Sequence, residues 1–352
     1  MRFPEFTGEW EKCKFKDVCK VETGNKNTQD KVENGLYPFY VRSQNVERIN
    51  SWSFDGEAIL TAGDGVGVGK VFHYSIGKIG VHQRVYILND FKCDGKYLYN
   101  YFSNRFYNRV KRLSAKNSVD SVRMEMITEM PLSLPSLEEQ SKIGCLLSLL
   151  EERITTQNKI IEDLKKLRSA ISLNVLHSST WKQFKIKDIA QIGRGRVISF
   201  IEISQQKNPT YPVYSSQTSN DGIMGYLDDY MFEGEYISWT TDGANAGTVF
   251  YRDGKFNCTN VCGLLKLRNG FDTHFVSLIL AEATKKYVSI NLANPKLMNN
   301  TMGNIQICLP EFEEQKRISI VFKKLQELLD VQKILLNQYS KQKQCLLRQM
   351  FI

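Results

Sequence analysis

A segment of ten residues occurs twice in this chain, and each copy begins a long helical pattern. The first copy is LPSLEEQSKI at 134–143 and the second is LPEFEEQKRI at 309–318. Proline is tolerated in the first turn of a helix, and the glutamates that follow it suit the positive end of the helix dipole. The two copies therefore predict the starts of two long helices and indicate that the chain is an internal duplication.

Apolar residues follow each copy at alternating spacings of three and four. The spacing continues for about five heptads, which favours a coiled-coil seam over an ordinary surface helix. Each helix would be about 60 Å long at about 1.5 Å per residue. Two long core helices of a bundle are the alternative. We predict a paired, spacer-like stalk with these seam positions: Ile143, Leu147, Leu150, Ile154, Ile161 and Leu164, then Ile318, Val321, Leu325, Leu329 and Leu336.

The segments on either side of the first long helix repeat one order of features. A Tyr-Pro strand at 37–44 and a glycine-rich loop at 61–70 return as YPVYSSQ at 211–217 and TDGANAG at 241–247. We predict an α+β fold with duplicated α/β domains at 1–135 and 178–310 and long helices at 136–177 and 311–352. Framework positions repeat while polar loop residues differ, so the two scaffolds should present different recognition surfaces.

Composition excludes several classes of protein. A chain of 352 residues with 42% hydrophobic and 24% charged residues is long enough for two or three folded domains and is not disordered. No apolar run approaches the about 20 residues that cross a bilayer, and the N-terminus does not resemble a signal peptide. The eight cysteines contain no CxxC motif, which predicts reduced thiols and no metal site. We therefore expect a cytoplasmic protein that does not contact membranes.

Charge is concentrated in one window. The net charge is +9, and residues 105–116 contain five basic side chains and no carboxylate. Basic residues interleaved with aromatics suit a phosphate backbone, and nucleic acid is the obvious polyanion for such a protein. A solvated basic helix with an aromatic core face is the alternative interpretation of this window. The basic residues in question are Arg105, Arg109, Lys111, Arg112 and Lys116.

Catalytic patterns are incomplete. The glycine-rich loop is not a Walker A motif, because Asp64 occupies the first glycine position and Val71 follows Lys70. The four histidines have no cysteine or aspartate constellation repeated around them, and NPKL at 294–297 lacks the second proline and the aromatic of a methyltransferase tetrapeptide. The sequence therefore favours a recognition protein over the rival class, a stand-alone nuclease or methyltransferase.

The ordered, duplicated set of LPxxEEQ segments, Tyr-Pro strands and glycine loops resembles the specificity subunit of type I restriction–modification systems. The resemblance covers essentially the whole chain. It implies that each domain reads one half of a split double-stranded DNA target and that the two helices pair antiparallel. It also implies methyltransferase partners, expected in two copies, and restriction motor-nuclease subunits. The chain itself would hold no cofactor, because adenine methylation and S-adenosylmethionine belong to the methyltransferase. A duplicated scaffold protein without DNA readout is the alternative.

These considerations give candidate DNA-binding residues. Arginine and glutamine can make bidentate contacts to guanine and adenine edges, and we expect Arg109→Ala to weaken binding without changing the target. Near bases of the first half-site we place Arg42, Ser43, Gln44, Gln83 and Arg84. Lys70 in the glycine loop is a further DNA-binding candidate, and the residues of the basic window should contact phosphates. For the second half-site we place Ser215, Ser216, Gln217, Asn245 and Lys296 near bases, and Lys285 and Lys286 on phosphates.

Overall fold

The structure is a computed structural model that describes residues 2–65, 67–113, 121–176, 180–289 and 294–351. The chain folds into two compact units. The first unit consists of residues 1–160 with 333–352, and the second consists of residues 161–332. Each unit therefore contains a mixed sheet and helix domain together with part of each long helix, and the predicted domain boundaries stay a prediction.

The first unit is built around a six-stranded sheet. The strands of the unit are β1 (Glu11–Lys14), β2 (Lys20–Thr23), β3 (Tyr37–Tyr40), β4 (Glu47–Ile49), β5 (Phe54–Ala62), β6 (Phe72–Val81), β7 (Val85–Asn89) and β8 (Pro131–Leu134). Its helices are α1 (Phe15–Val18), α2 (Gly95–Leu113) and α3 (Met124–Thr128), and Thr28–Asp30 form a 3₁₀ turn. The sheet order is β2-β7-β5-β6-β3-β4, β3 and β6 run parallel, and β1 pairs separately with β8.

The first long helix, α4 (Leu137–Val175), follows this sheet, and the second unit repeats the arrangement. The remaining elements are β9 (Lys182–Lys185), α5 (Ile186–Ile189), β10 (Ala190–Arg194), α6 (Phe200–Ser204), β11 (Tyr211–Tyr214), β12 (Ile223–Leu227), β13 (Phe232–Glu233), β14 (Tyr236–Thr240), β15 (Val249–Arg252), β16 (Lys255–Cys258), β17 (Cys262–Leu267), α7 (Thr273–Ala283), α8 (Asn299–Asn304), β18 (Gln306–Leu309) and the second long helix α9 (Phe312–Met350). Two 3₁₀ turns lie at Ser219–Gly222 and Thr284–Lys286. The sheets are β10-β17-β14-β15, β12-β11-β16-β13 and β18-β9.

A pair of facing glycines occurs in each unit and marks a difference between their sheets. Gly56 of β5 lies opposite Gly77 of β6, with φ angles of 144° and 96°. Gly234 and Gly254 form the same kind of pair in the second unit, with φ angles of 94° and 92° and an N···O distance of 3.0 Å. Glycine is the residue that adopts positive φ without strain. The paired strand continues through Gly77, whereas it divides into β15 and β16 at Gly254.

The helix α2 forms the centre of the first core. Phe102 and Phe106 are fully buried and stack at 4.4 Å between ring centroids. Ile143 and Leu147 of α4 join the same cluster. Phe351, just beyond α9, packs against the ring of Tyr101 at 5.4 Å. Burial of a large apolar side chain contributes roughly 1.5–3 kcal/mol, so both long helices are integral to this core.

The repeated LPxxEEQ segment has a shared structural role. Gln140 is 5% exposed; its side chain donates to the carbonyl of Pro135 at 2.8 Å and accepts from the backbone N–H of Asp94 at 3.0 Å. Gln315 makes the same two bonds to Pro310 and Asp272, at 2.9 and 3.0 Å. Asp94 and Asp272 in turn accept a backbone N–H in the first turn of α2 and α7. The motif therefore joins each long helix to the helix packed on its sheet.

Contacts within the first unit show that the long helices run antiparallel there. In the first unit Glu151 forms an ion pair with Lys343, and Arg153 lies over the ring of Tyr339 at 5.8 Å. In the second unit Arg168 Nη1 donates to Gln326 Oε1 at 2.8 Å. Within the first unit, the residue numbers increase along α4 while those of the contacting residues decrease along α9. Both helices contain 39 residues, and the predicted antiparallel pairing is confirmed.

Most seam positions are at least half-buried. The buried ones are Ile143, Leu147, Leu150, Ile161 and Leu329, and the half-buried ones are Ile154, Leu164, Ile318, Leu325 and Leu336. Val321 is the exception, because it is 46% exposed while its neighbour Phe322 is 2% exposed. Phe322 lies four positions after Ile318 and therefore on the same helix face. The seam assignment of Val321 is corrected to Phe322.

Candidate nucleic-acid interface

Three loops of the first unit meet at Asp64. They are residues 41–46 after β3, the glycine-rich loop after β5 and residues 82–84 between β6 and β7, and we call them the first loop cluster. Arg42 Nη1 lies 2.8 Å from Asp64 Oδ1, and Arg84 Nε lies 3.7 Å from Asp64 Oδ2. The structure thus brings together two of the residues that the sequence placed near bases, and it adds a carboxylate between them.

Backbone contacts fix the geometry of this cluster. A side chain at Gly67 would begin 2.6 Å from the carbonyl oxygen of Arg42, so only glycine allows the loop to approach this closely. His82 Nδ1 accepts the N–H of Arg84 at 3.0 Å. Burial lowers the pKa of His82, and the positive charge of Arg42 lowers it further. The ring is therefore neutral at neutral pH, as an accepting Nδ1 requires.

Other predicted base contacts of the first unit are exposed. Ser43 and Gln44 lie on the surface beside Arg42, and Gln83 is exposed with its amide donating to Asn27 Oδ1 at 2.8 Å. Lys70 is exposed at the end of the glycine-rich loop, with its Nζ 5.2 Å from the centre of the Tyr107 ring. These side chains belong to the loops of the first loop cluster and are exposed.

The basic window divides into two kinds of residue. Arg109 donates to the carbonyls of Met126 and Glu129, both at 2.8 Å, and Arg105 donates to the carbonyl of Phe351. These two guanidinium groups therefore have structural partners that the sequence did not reveal. Lys111 and Arg112 are exposed at the end of α2, where a phosphate could reach them. Lys116 lies outside the described residues, and phosphate contact stays a prediction for the whole window.

The corresponding loops of the second unit line an open cavity of about 390 Å³. We call its lining the second loop cluster, which includes the predicted Ser215, Ser216, Gln217 and Asn245. Asp242 and Gly243 contribute from the glycine-rich loop, and Phe200 lines the cavity while being 71% exposed. The sequence did not single out Phe200. Polar loop side chains and the apolar side chains of Ile198, Phe200 and Met224 line this open cavity together, so it could accept the edge of a base.

A buried arginine supports this cluster. The side chain of Arg252 is 2% exposed, donates to Asp221 Oδ2 at 2.7 Å and to Ser238 Oγ at 3.0 Å, and lies 3.6 Å from the centre of the Tyr214 ring. Asp221 has a φ of 53° in the turn that closes the 215–222 segment. Arg252 therefore holds this segment from beneath, and it was also missed by sequence reasoning.

Three predicted lysines lie on the surface of the second unit. Lys285 forms an ion pair with Glu282 at 2.8 Å, and Lys286 is exposed beside it. Lys296 is exposed, and its backbone bridges Asp242 of the glycine-rich loop and Ser289. Lys296 is thus held near the second loop cluster by its main chain, whereas Lys285 and Lys286 follow the end of α7.

Within the described ranges, no three histidine, cysteine or acidic side chains come together in a way that could hold a metal ion. Among those residues, no helix is both long and apolar enough to span a bilayer.

Comparison with known protein families identifies the family of this chain. The model of the type I restriction modification DNA specificity domain matches residues 7–166 and 178–338. The chain belongs to this family. It is a type I specificity subunit with two recognition domains in tandem, a DNA-recognition component of its complex and not a catalytic one.

Two curated proteins and one solved structure illustrate the relationship. A Mycoplasma pneumoniae protein named as a type I specificity subunit is 36% identical over 197 residues, covering 55% of this chain and 82% of that protein. The specificity subunit of the type I restriction enzyme MpnII, from the same organism, is 43% identical over 141 residues, covering 40% of this chain and 42% of that subunit. The crystal structure of a type I S subunit from M. genitalium has the same fold, with a TM-score of 0.80 at 17% identity over 99% of this chain and 97% of that one.

Proposed function

We propose that each loop cluster of this specificity subunit reads one half of a split DNA target. One observation carries the proposal. In both units the loop after the Tyr-Pro strand meets the glycine-rich loop, through Arg42 and Asp64 in the first and through the cavity shared by Ser216 and Asn245 in the second. The same backbone positions thus present different side chains, which is what two readers of different half-sites need.

The side chains support a division between base reading and phosphate binding. Arginine, glutamine and asparagine in the clusters match the donor and acceptor pairs of guanine and adenine in the major groove. The exposed basic side chains at the end of the glycine-rich loop and outside the clusters match phosphates, which position a protein on DNA without reading its sequence. We assign the phosphate role to Lys70, Lys111, Arg112, Lys285 and Lys286, and keep it for Arg105, Arg109 and Lys116 as predicted from the sequence.

The partners follow from the family. We propose that two adenine methyltransferase subunits, which would carry S-adenosylmethionine, assemble with this chain, and that restriction motor-nuclease subunits join them. The complex would act on double-stranded DNA in the cytoplasm. This proposal is supported by family membership and by a relative whose name places it in a restriction enzyme.

A methylation map tests both parts of the proposal. Cells that hold a matching methyltransferase subunit are mapped genome-wide with this chain, without it, and with variants of either loop cluster. We expect a new motif of two short words around a fixed gap, with adenine methylated. Arg42→Ala with Arg84→Ala should alter one word, and Ser216→Ala with Asn245→Ala should alter the other. If the subunits co-purify and no motif appears, the chain assembles without reading DNA and the scaffold alternative is correct.

A further inference from the structure

Asp64 lies between two arginines that we assign to base contacts. The side chain of Asp64 is 26% exposed, and those of Arg42 and Arg84 are 46% and 65% exposed. The carboxylate approaches Arg42 through Nη1 at 2.8 Å, and the nearest nitrogen of Arg84 is Nε, at 3.7 Å. Asp64 therefore contacts the inner nitrogen of Arg84, and this contact leaves its two terminal nitrogens available as a fork.

The backbone fixes Asp64 relative to Arg84 and to the chain at Ser121 and Val122. The N–H of Gly63 donates to the carbonyl of Arg84 at 2.8 Å, and the carbonyl of Gly63 accepts from Val122 at 2.7 Å. A β-bridge joins Asp64 itself to Ser121. The carboxylate is thus attached to a braced strand end rather than to a free loop, and it can orient side chains that would otherwise move independently.

We propose that Asp64 is a positioning residue that holds Arg42 and Arg84 side by side so that they read a half-site containing guanine. This inference rests on the proposed function and names the base class of the first half-site. An arginine fork matches the O6 and N7 acceptors of guanine. Ordering two long side chains before binding reduces the entropy lost on association, and the carboxylate offsets the repulsion between the two positive charges.

Stability is not the purpose of this ion pair. Ion pairs between exposed side chains contribute little to folding, so Asp64→Asn should leave the unfolding midpoint almost unchanged. The substitution removes one negative charge near DNA, so nonspecific affinity should stay equal or rise. Loss of discrimination without loss of stability or of general affinity is therefore the signature of a positioning role, and a merely structural residue would not produce it.

The test uses the purified complex of the full chain with its methyltransferase subunits. Methylation rates are measured on the cognate duplex and on duplexes with a single base pair changed in either half-site. For Asp64→Asn we expect discrimination at a G·C pair of the first half-site to fall about tenfold, with the second half-site read as before. Asp55→Asn, which removes the same charge from an exposed position of β5, is the matched control and should change neither half-site.

Each other outcome has a defined meaning. Unchanged discrimination in Asp64→Asn, while Arg42→Ala and Arg84→Ala lose it, overturns the positioning role and leaves the proposed function intact. If neither arginine variant changes discrimination at the first half-site, the proposed base contacts of Arg42 and Arg84 are wrong, and the role of Asp64 that depends on them is wrong as well. If Asp64→Asn changes a preference that neither arginine variant changes, Asp64 reads a base directly and the inference is wrong. A first half-site made only of A·T pairs also overturns it.

Discussion

Each unit has an arginine–aspartate pair in or beside its loop cluster, and the two pairs are nearly equal in length and opposite in exposure. Arg42 and Asp64 are 2.8 Å apart, with the arginine side chain 46% exposed. Arg252 and Asp221 are 2.7 Å apart, with the arginine side chain 2% exposed and the aspartate 66% exposed. The same pair of residue types therefore presents an arginine to the ligand in one unit and supports a loop from beneath in the other.

The difference shows which parts of the two units have remained similar after the duplication. What the units share is buried: the glutamine–proline–aspartate bonds at the start of each long helix and the aromatic cores beneath the sheets. What differs is exposed: charged side chains in the first loop cluster, and a cavity with Phe200 in the second. Packing constrains which residues can occupy buried positions, whereas exposed loop positions can vary with the ligand that they bind.

We expect the largest loss of stability from substitution of Arg252, the buried arginine of the two pairs. Arg252→Met removes bonds to Asp221 and Ser238 and leaves the Ser238 hydroxyl buried without this donor. We expect a loss of about 2–4 kcal/mol in the free energy of unfolding, measured by thermal unfolding, together with loss of second half-site discrimination. Arg42→Met is the matched control. It should cost no more than about 1 kcal/mol and affect only the first half-site, and equal destabilisation by both would contradict the comparison.

The second prediction concerns what the units have in common. Gln140→Ala and Gln315→Ala each leave a buried backbone N–H and carbonyl without the side chain that joined them. We expect each variant to lose about 1–3 kcal/mol of stability, and the two losses to agree because the bond lengths agree. Denaturant titration measures both. A loss confined to one variant would show that the two junctions are not equivalent.

Local pattern made much of the fold predictable. The seam spacing and the LPxxEEQ segments lie within one element, so two long helices and a duplication could be inferred before any tertiary contact was known. The partners of Gln140 and Gln315 could not, because Asp94 and Asp272 lie 46 and 43 positions away in the sequence. Repetition of the glutamine in both copies was the available signal that it has a structural partner.

The candidate site was predictable only in outline. The sequence placed candidate residues on loops, and the structure brings some of them together: Arg42 and Arg84 converge, and Ser216 and Asn245 line one cavity. Individual roles were harder to infer. The absence of carboxylates near Arg109 suggested a phosphate ligand, which stays a prediction. The sequence did not reveal the backbone carbonyls to which Arg109 donates, because they carry no net charge. The burial of Arg252 was not predictable either, because its partner Asp221 lies 31 positions away in the sequence.

Acid should destabilise the second unit through one histidine. Burial lowers the pKa of His274 from its ordinary 6.5 to about 4, and the charge of Lys323 adds to the shift. Between these values the unfolded chain binds more protons, so stability falls as pH falls, by up to about 1.4 kcal/mol per pH unit. His274→Gln keeps a polar side chain near Ser319 and should flatten this part of the pH profile. Identical acid profiles for both proteins would show that His274 does not titrate there.

The smallest effects should be the same in both units. Lys111 and Lys286 are exposed lysines near the ends of the helices that pack on the two sheets, and neither belongs to a loop cluster. Each phosphate contact contributes about 0.9 to the slope of log affinity against log salt concentration. We expect Lys111→Gln and Lys286→Gln to reduce that slope by about this amount each, with both half-site words unchanged. Lys285→Gln is the control within the second unit, because Glu282 already pairs with Lys285 and should reduce its contribution. Binding isotherms at several salt concentrations measure the slopes. A change of half-site preference in either variant would move that lysine from phosphate binding to base reading.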